Sequence, residues 1–349
     1  MIKNLKKKVV VAMSGGVDSS LAAALLKEEG YNVLGITIHH YDGTESLKSA
    51  EQAAQDLKIP WHVLDFTKEF KTIVMQYFCN EYSAGRTPNP CVICNLKIKF
   101  GLLLEKAKSL GADYLATGHY AINEYDQKSK KFLLKRGVDE SKDQSYFLYR
   151  LNQDVLPYIL FPLGKFKKSQ TREFAKKYGL KNYKKEESQE ICFIQDDNYR
   201  KFLIQNISET INPGKFKDKE GKTLGEHQGI PFYTIGQRKG LGVSLNKRMY
   251  VTEINSHKNV IILSDDKDLY KDKLLVKDLN FVSGDKLSNS IRAEVKIRYN
   301  SKKSPANISP YHEDEVLINF EKRQRAITPG QSAVFYQGDV VIGGGIIEG

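Results

Sequence analysis

Val9-Val10-Val11-Ala12-Met13-Ser14-Gly15-Gly16-Val17-Asp18-Ser19-Ser20 is the most informative segment of this chain. Its three consecutive β-branched residues predict a buried strand, and the apolar residues at 21–26 predict a helix that begins after the glycines. Because glycine adopts backbone conformations that side chains forbid, backbone N–H groups in such a loop can approach an anion closely. Ser14, Ser19 and Ser20 add hydroxyl groups, and the helix N-terminus adds partial positive charge. The segment therefore predicts a phosphate site.

This loop differs from the Walker A phosphate loop, because no lysine follows its glycines. A plain strand-to-helix turn is the alternative interpretation. The sequence Ser14-Gly-Gly-Val-Asp-Ser-Ser20 is longer and more specific than a glycine pair, and it resembles the PP-loop of the ATP pyrophosphatases. Enzymes of that superfamily split ATP into AMP and pyrophosphate while they adenylate a substrate.

Strands and helices alternate along the residues that follow the loop. This alternation predicts an α/β domain with a doubly wound parallel sheet and right-handed crossovers. Ligands of such sheets bind at the carboxyl ends of the strands, where the loop, Ile38 and Gly118 fall. His39 and His40 follow the second strand, and we expect two ordinary loop or site-edge residues, since neighbours on a strand point to opposite faces. The predicted strands are 33–38, 61–66 and 113–117, and the predicted helices are 45–57, 67–82 and 95–110.

Four cysteines are too few for a disulfide scaffold in a chain of 349 residues. Cys91 and Cys94 lie in Gly85-Arg-Thr-Pro-Asn-Pro-Cys-Val-Ile-Cys-Asn95, where the prolines predict a rigid loop and Asn95 the start of a helix. Cys94 would then lie beside a helix N-terminus, whose dipole lowers a thiol pKa. Cys79 fits the buried face of a helix, and Cys192, taken alone, would be a buried structural thiol.

The character of the chain changes near residue 207. From there the pattern is mainly that of strands, and at 291–299 apolar residues alternate with charged ones. We predict a PP-loop domain at 1–206, a small central domain at 207–273 and an antiparallel β-barrel at 274–349.

Composition suggests a polyanionic partner, because 54 Lys and Arg residues face 42 Asp and Glu, a net charge of +12. The lysines are spread along the chain, so a lysine-rich proteome explains the charge equally well. We see no secretory signal and no membrane span, and we expect a cytoplasmic protein with no membrane partner.

Six motifs in this order resemble those of the tRNA-specific 2-thiouridylases, which replace the 2-oxygen of the wobble uridine by sulfur. The resemblance covers the full length of the chain. The motifs are Ser14-Gly-Gly-Val-Asp-Ser-Ser20, Arg86-Thr-Pro-Asn-Pro90 with Cys94-Asn95, Thr117-Gly-His-Tyr120, Lys142-Asp-Gln-Ser-Tyr-Phe-Leu148, Cys192-Phe-Ile194 within the segment 187–194, and Ile235-Gly-Gln-Arg-Lys-Gly-Leu241.

The resemblance implies that ATP adenylates the uridine oxygen, which is otherwise a poor leaving group, and that sulfur then displaces AMP. Cys192 would carry the sulfur as a persulfide, and Cys94 would release it and form a transient disulfide with Cys192. Asp18 would position Mg²⁺ or the phosphates. The implied partners are a tRNA with a wobble uridine and a persulfide-delivering sulfur carrier or cysteine desulfurase. The implied AMP-binding residues are Ala12, Met13, Ser14, Gly15, Gly16, Val17, Asp18, Ser19, Ile38 and Gly118.

The same resemblance implies contacts with RNA. Lysine and arginine neutralise phosphates, while amides and aromatic rings read or stack on a flipped-out base. Asn89, Pro90 and Cys91 would face the target base. The residues that would touch tRNA are His119, Lys142, Asp143, Gln144, Arg298, Tyr299 and Gln331.

Cys91 departs from the family pattern, because many members carry an aspartate there with an assigned acid/base role. A thiol or thiolate would perform a weaker version of that role. Alternatively, Cys91, Cys94 and Cys192 would ligate a [4Fe–4S] cluster with one open iron for hydrosulfide. We place the persulfide route ahead of the cluster, and both ahead of a structural zinc site, which lacks a fourth ligand nearby in sequence.

Two other functions fit parts of the sequence. Another PP-loop tRNA-modifying ligase, such as a tRNA lysidine synthase, would share the phosphate loop but has no need of paired distant cysteines. A tRNA-binding or iron–sulfur sensing module without catalysis would leave the ATP loop unused.

Overall fold

The computed structural model describes residues 7–41, 44–184, 191–194, 198–207, 209, 211–243 and 247–348. Residues 187–190 of the motif around Cys192 lie outside the described residues. The strands are β1 (Lys8–Ala12), β2 (Asn32–His39), β3 (Trp61–Asp65), β4 (Tyr114–Ala116), β5 (Ala121–Asp126), β6 (Lys131–Arg136), β7 (Ile159–Leu160), β8 (Gly214–Lys217), β9 (Thr223–His227), β10 (Tyr250–Asn255), β11 (Val260–Ser264), β12 (Tyr270–Phe281), β13 (Ile291–Lys296), β14 (Ser304–Pro310), β15 (Val316–Arg325), β16 (Ser332–Gln337) and β17 (Val340–Ile347).

Six helices accompany these strands in the part of the chain that the structure describes. They are α1 (Val17–Glu28), α2 (Thr44–Asp56), α3 (residues 67–83), α4 (residues 90–109), α5 (Lys168–Lys177) and α6 (Tyr199–Ile207). The two long helices α3 and α4 each contain a π-helical segment, Lys71–Met75 and Cys94–Leu103. Short 3₁₀ turns occur at Ser145–Phe147, Leu156–Tyr158, Lys181–Lys184, Ile230–Phe232 and Asp266–Leu269.

A parallel sheet with the strand order β3-β2-β1-β4-β7 forms the N-terminal domain. Val9, Val10 and Val11 of the central strand β1 are completely buried, as the β-branched run predicts. β1 pairs in parallel with β2 and β4, so the loop after β1 and the ends of β2 and β4 meet at one edge. The predicted α/β architecture is confirmed, and it brings the glycine loop, Ile38 and Gly118 to the ligand-binding edge of the sheet.

The start of α4 is the main difference from the sequence prediction. The helix begins at Pro90, which occupies its first turn, rather than at Asn95. A proline fits there because its fixed φ suits a helix and the first helical N–H groups have no intrahelical partner. Cys91 therefore lies in the first turn, and Cys94 lies one turn further in.

A closed six-stranded antiparallel barrel forms the C-terminal part, in the order β12-β15-β14-β13-β16-β17 with β12 paired to β17. Ala293, Val295 and Ile297 face its core, in agreement with the alternation in the sequence. The predicted barrel is confirmed, and its first strand, β12, begins before the predicted boundary at 273. The hairpin β5–β6 of the N-terminal domain reaches the barrel and pairs with β17 at Lys135 and Val340.

A small four-stranded sheet, in the order β10-β11-β8-β9, lies between these two parts in sequence. Its core residues pack in one cluster with those of α3 and α6, so the central part of the chain is anchored on the N-terminal domain. In the described part of the chain, no helix is both long and apolar enough to cross a lipid bilayer.

Candidate active site

A cavity of about 370 Å³ opens at the carboxyl ends of β1, β2 and β4. It brings together the glycine loop, the first turns of α4 and the segment that carries Cys192, although Cys94 and Cys192 are far apart in sequence. Such a concave site with convergent polar groups is typical of a ligand site. The residues that the sequence predicts for a site and that line this cavity are Ala12, Met13, Ser14, Asp18, Ser19, Ile38, Pro90, Cys91, Cys94, Gly118, His119, Gln144 and Cys192.

Hydrogen bonds within the glycine loop hold its shape. The Ser14 N–H donates to Ser19 Oγ at 3.1 Å, and the Ser19 and Ser20 hydroxyls both donate to the Gly16 carbonyl, at 3.1 and 3.0 Å. Gly15 has φ +75°, and a Cβ there would lie 2.5 Å from the Ser46 carbonyl oxygen. Glycine is therefore required at this position, and the loop is preformed for an anion at the start of α1.

Gly118 allows the end of β4 to approach this loop. A Cβ at Gly118 would lie 2.8 Å from the Ser19 backbone nitrogen and 2.8 Å from the Asp18 carbonyl carbon. Any larger residue would push the first turn of α1 away from the sheet. Gly16 and Val17 complete the turn into α1 but do not line the cavity themselves.

Asp18 is held by Tyr120, which belongs to a motif that the sequence analysis quotes, and by Lys168, which it did not single out. The Lys168 ammonium donates to both carboxylate oxygens, at 2.7 and 2.8 Å, and the Tyr120 hydroxyl donates to Oδ1 at 2.8 Å. Lys168 is the first residue of α5 and is 8% exposed. The fold thus supplies a buried lysine beside the phosphate loop from a distant part of the chain. No local sequence signal identifies it.

All four cysteines are free thiols. Cys91 and Cys192 open onto solvent, yet desolvation by the surrounding protein raises the pKa of the Cys91 thiol to about 11 and that of Cys192 to about 12. Desolvation also raises the pKa of the Cys94 thiol, against the opposing charge of Lys99. The predicted lowering of the Cys94 pKa is therefore wrong, because the helix starts earlier and burial outweighs its dipole.

Cys91, Cys94 and Cys192 all line the cavity. Throughout the described ranges, no group of three or more His, Cys, Asp or Glu side chains is arranged to hold a metal ion. A [4Fe–4S] cluster needs three thiolates converging on it.

His40 contacts Cys192, which the sequence analysis did not foresee. Its Nε2 lies 3.6 Å from Cys192 Sγ, and its Nδ1 lies 3.0 Å from the Ile38 carbonyl oxygen. The ring also packs edge-on against Phe70, with the centroids 4.5 Å apart. Burial lowers the pKa of His40 below its ordinary 6.5, so the ring is neutral at pH 7.

Of the residues predicted to contact RNA near the cavity, His119 and Gln144 line it. Burial holds the pKa of His119 well below 6.5, and its Nδ1 lies 2.7 Å from the Thr117 hydroxyl. Asn89 directly precedes α4 and is half-buried, as is Lys142.

Asp143 is buried, and its carboxylate points into the protein. It accepts hydrogen bonds from the backbone N–H groups of Gly137 and Ser145, both at 3.1 Å, and from Arg136 Nε at 3.2 Å. These contacts hold the segment that carries Lys142 and Gln144 in place.

Gln331 links the barrel to the cysteine helix. Its amide Nε2 donates to the carbonyl oxygens of Thr87 at 3.0 Å and Pro88 at 3.2 Å, directly before Asn89. The Thr87 N–H in turn donates to the Pro329 carbonyl at 2.8 Å. The barrel therefore fixes the segment from which α4 starts.

Arg298 and Tyr299 lie on the barrel, outside the lining of this cavity. Arg298 donates to the carbonyl oxygens of Arg325, at 2.6 Å, and Ala326. The Tyr299 ring stacks at a tilt on Phe147, with the centroids 4.6 Å apart. Tyr299 also lines a separate cavity of about 490 Å³, together with Lys296, Lys302, Lys303 and other polar residues.

Three family matches divide the chain. Residues 7–196 match the family described as "tRNA methyl transferase HUP domain". Residues 200–265 match "tRNA methyl transferase PRC-barrel domain" and residues 271–347 match "Aminomethyltransferase beta-barrel domain".

Curated relatives match over nearly the whole chain. The chain is 49% identical over 358 residues to tRNA-specific 2-thiouridylase MnmA 2 of Thermoanaerobacter sp. (strain X514), covering 99% of this chain and 98% of that protein. It is 48% identical to tRNA-specific 2-thiouridylase MnmA of Acetivibrio thermocellus, covering 98% and 99%. A solved 4-thiouridine synthetase–RNA complex with bound ATP aligns at a TM-score of 0.37 and 17% identity, over 58% of this chain and 51% of that chain.

Proposed function

Since this chain belongs to the tRNA-specific 2-thiouridylase family and is an ATP-using tRNA sulfurtransferase, we propose how its cavity divides the reaction. One wall activates the 2-oxygen of a wobble uridine with ATP. The opposite wall, with Cys94 and Cys192, exchanges that oxygen for sulfur. The observation that carries this proposal is the presence of both cysteines and the phosphate loop in a single cavity.

The phosphate loop suits the activation step. Its backbone turn at the start of α1 favours the phosphates of ATP, and Gly118 allows the end of β4 to lie close to that turn. Attack of the uridine 2-oxygen on the α-phosphate forms the oxygen–phosphorus bond and releases pyrophosphate with the bonding electron pair. The oxygen then belongs to AMP, a far better leaving group.

Asp18 and Lys168 would manage the charge of the leaving pyrophosphate. The Asp18 carboxylate, beside the hydroxyls of Ser14 and Ser19, is the oxygen ligand in this loop that would hold Mg²⁺ together with the phosphates. Mg²⁺ neutralises developing phosphate charge. The Lys168 ammonium, which donates to Asp18, would contact the phosphates beside it.

Sulfur transfer follows on the cysteine side. A persulfide on Cys192 attacks C2 of the adenylated uridine, forms the carbon–sulfur bond and expels AMP with its electron pair. Cys94 then attacks Cys192 Sγ and breaks the sulfur–sulfur bond, and its thiol proton passes to the released 2-thiouridine. The tRNA leaves with 2-thiouridine, and the enzyme keeps a Cys94–Cys192 disulfide that an external dithiol reduces before the next turnover.

The barrel and the cysteine helix together would present the tRNA. Asn89, Pro90 and Cys91 stand at the start of α4, where a flipped base would enter the cavity. Lysines 296, 302 and 303 beside Tyr299 offer charge to the RNA backbone. The division into a catalytic domain at 1–206, a central domain at 207–273 and a tRNA-binding barrel at 274–349 belongs to the same proposal.

In this scheme Cys91 acts only at the target base, where its thiol would donate or accept one proton. The [4Fe–4S] alternative is not favoured, because the described residues form no three-ligand group. Anaerobic purification followed by iron and sulfide analysis tests it. An iron-free protein that thiolates tRNA supports the persulfide route, whereas thiolation that requires bound iron contradicts it.

The sulfur would arrive as a persulfide on a carrier protein or cysteine desulfurase in the cytoplasm, where tRNA is modified. The proposal as a whole is tested with purified tRNA, ATP and a persulfide donor, by measuring pyrophosphate and 2-thiouridine together. We expect Cys192→Ala and Cys94→Ala to release pyrophosphate but form no 2-thiouridine, and Asp18→Asn to form neither. Thiolation by Cys192→Ala at the wild-type rate would overturn the assignment of the persulfide.

A further inference from the structure

His40 stands at the sulfur of Cys192, and its orientation is fixed by a second contact. The Nδ1 atom lies 3.0 Å from the Ile38 carbonyl oxygen, which only accepts hydrogen bonds. Nδ1 must therefore carry the ring proton. In a neutral imidazole this leaves a lone pair on Nε2, and Nε2 lies 3.6 Å from Cys192 Sγ.

The surroundings keep the ring in this state. Phe70 packs against one side of His40, and burial, Lys99 and His39 all disfavour the charged imidazolium. Cys192 is an exposed thiol at the cavity mouth, within reach of an incoming donor. Its own pKa, near 12, means that it is a thiol rather than a thiolate at neutral pH. A thiol is a poor nucleophile, so loading sulfur onto Cys192 requires removal of its proton.

We propose that His40 is the catalytic base that removes the Cys192 proton when sulfur is delivered to this enzyme. The inference rests on the proposed function, in which Cys192 receives the persulfide. Cys192 Sγ attacks the outer sulfur of a donor persulfide, the new sulfur–sulfur bond forms and the donor's own sulfur–sulfur bond breaks. The donor thiolate leaves with the electron pair. The Cys192 proton passes to His40 Nε2 and then to that thiolate, so the step needs no oxidant or reductant.

Transfer of the proton is coupled to bond formation. A resting thiolate–imidazolium pair is disfavoured, because desolvation by the surrounding protein stabilises the neutral form of both groups. As the new bond forms, however, the attacking sulfur becomes positively charged and strongly acidic. The proton then moves to Nε2 in the same step, which is general-base catalysis.

Iodoacetamide alkylation of Cys192, followed by mass spectrometry of the peptide, tests this base without any knowledge of the natural donor. With a base of lowered pKa, the wild-type rate is level between about pH 7 and 8.5 and falls as His40 is protonated in acid. His40→Gln keeps a hydrogen-bonding amide but accepts no proton. We expect it to react about 10²-fold more slowly at pH 7.5, with a rate that rises tenfold per pH unit.

His62→Gln is the control, because His62 is an exposed histidine of β3 that does not line the cavity. The control and the alkylation of Cys94 should match the wild type. The inference is overturned if Cys192 in His40→Gln is alkylated at the wild-type rate with a level pH profile. It is also overturned if alkylation of Cys94 in His40→Gln slows as much as that of Cys192. Should His40→Gln fold poorly, His40→Asn replaces it, with pyrophosphate release as the check of folding. Thiolation of tRNA by Cys192→Ala would instead contradict the proposed function, whatever the alkylation profile.

Discussion

Replacing Lys168 with methionine removes the ammonium that faces the phosphate loop while keeping most of the side-chain volume. Lys168 donates two hydrogen bonds to the Asp18 carboxylate, at 2.7 and 2.8 Å, from a side chain that is 11% exposed. A hydrogen bond between charged groups in such a place contributes roughly 2 kcal/mol. Because Lys168→Met removes the contact between this ammonium and the leaving phosphates, it should lower kcat/KM for ATP about 30-fold.

The assay is the rate of tRNA-dependent pyrophosphate release as a function of ATP concentration. Lys165→Met, at an exposed lysine just before α5, is the matched control and should stay within about twofold of the wild type. Alkylation of Cys94 in Lys168→Met should proceed normally, which shows that the cavity is intact. A kcat/KM for Lys168→Met equal to that of Lys165→Met would refute the role of Lys168 at the phosphates.

Three further changes test other parts of the account. Gln331→Ala removes both hydrogen bonds to the segment before α4, so the thiolation rate at saturating tRNA should fall about tenfold; weaker tRNA binding at an unchanged rate would contradict a positioning role. His119 has a lowered pKa, so the unfolded chain binds its proton first and stability falls as pH drops below 6.5. The drop in Tm from pH 7.5 to 5.5 should be smaller in His119→Asn than in the wild type. Equal drops would contradict a lowered pKa of His119. The Cys79 thiol is buried and its pKa is raised to about 11, so Cys79→Ala should keep thiolation within about twofold; loss of activity would show a chemical role.

Local patterns predicted the parts of the fold that depend on neighbouring residues. The valine run of β1 and the glycines after it specify a buried strand and a turn whatever the rest of the chain does. The predicted start of α4 was wrong because Pro90 is compatible with both a loop and the first turn of a helix. In the folded chain this segment is helical, and its Val92 is buried in the core.

Contacts between distant segments lay beyond sequence reasoning. Lys168 meets Asp18 across 150 positions, and His40 meets Cys192 across 152. Neither Lys168 nor His40 stands in a motif that marks it. Gln331 reaches Thr87 across 244 positions, from the barrel to the cysteine helix. The family resemblance identified Gln331 as a tRNA contact, but it did not predict that the Gln331 amide donates to the protein backbone.

Measurement of 2-thiouridine in cellular tRNA tests the central claim most directly. Nucleosides are analysed by mass spectrometry from cells that lack this protein and carry the wild type, Cys79→Ala, Cys94→Ala or Cys192→Ala. If Cys94 and Cys192 deliver sulfur to the base that ATP has activated, 2-thiouridine is present with the wild type and Cys79→Ala and absent with the other two. Normal 2-thiouridine in cells that carry Cys94→Ala or Cys192→Ala would contradict the account.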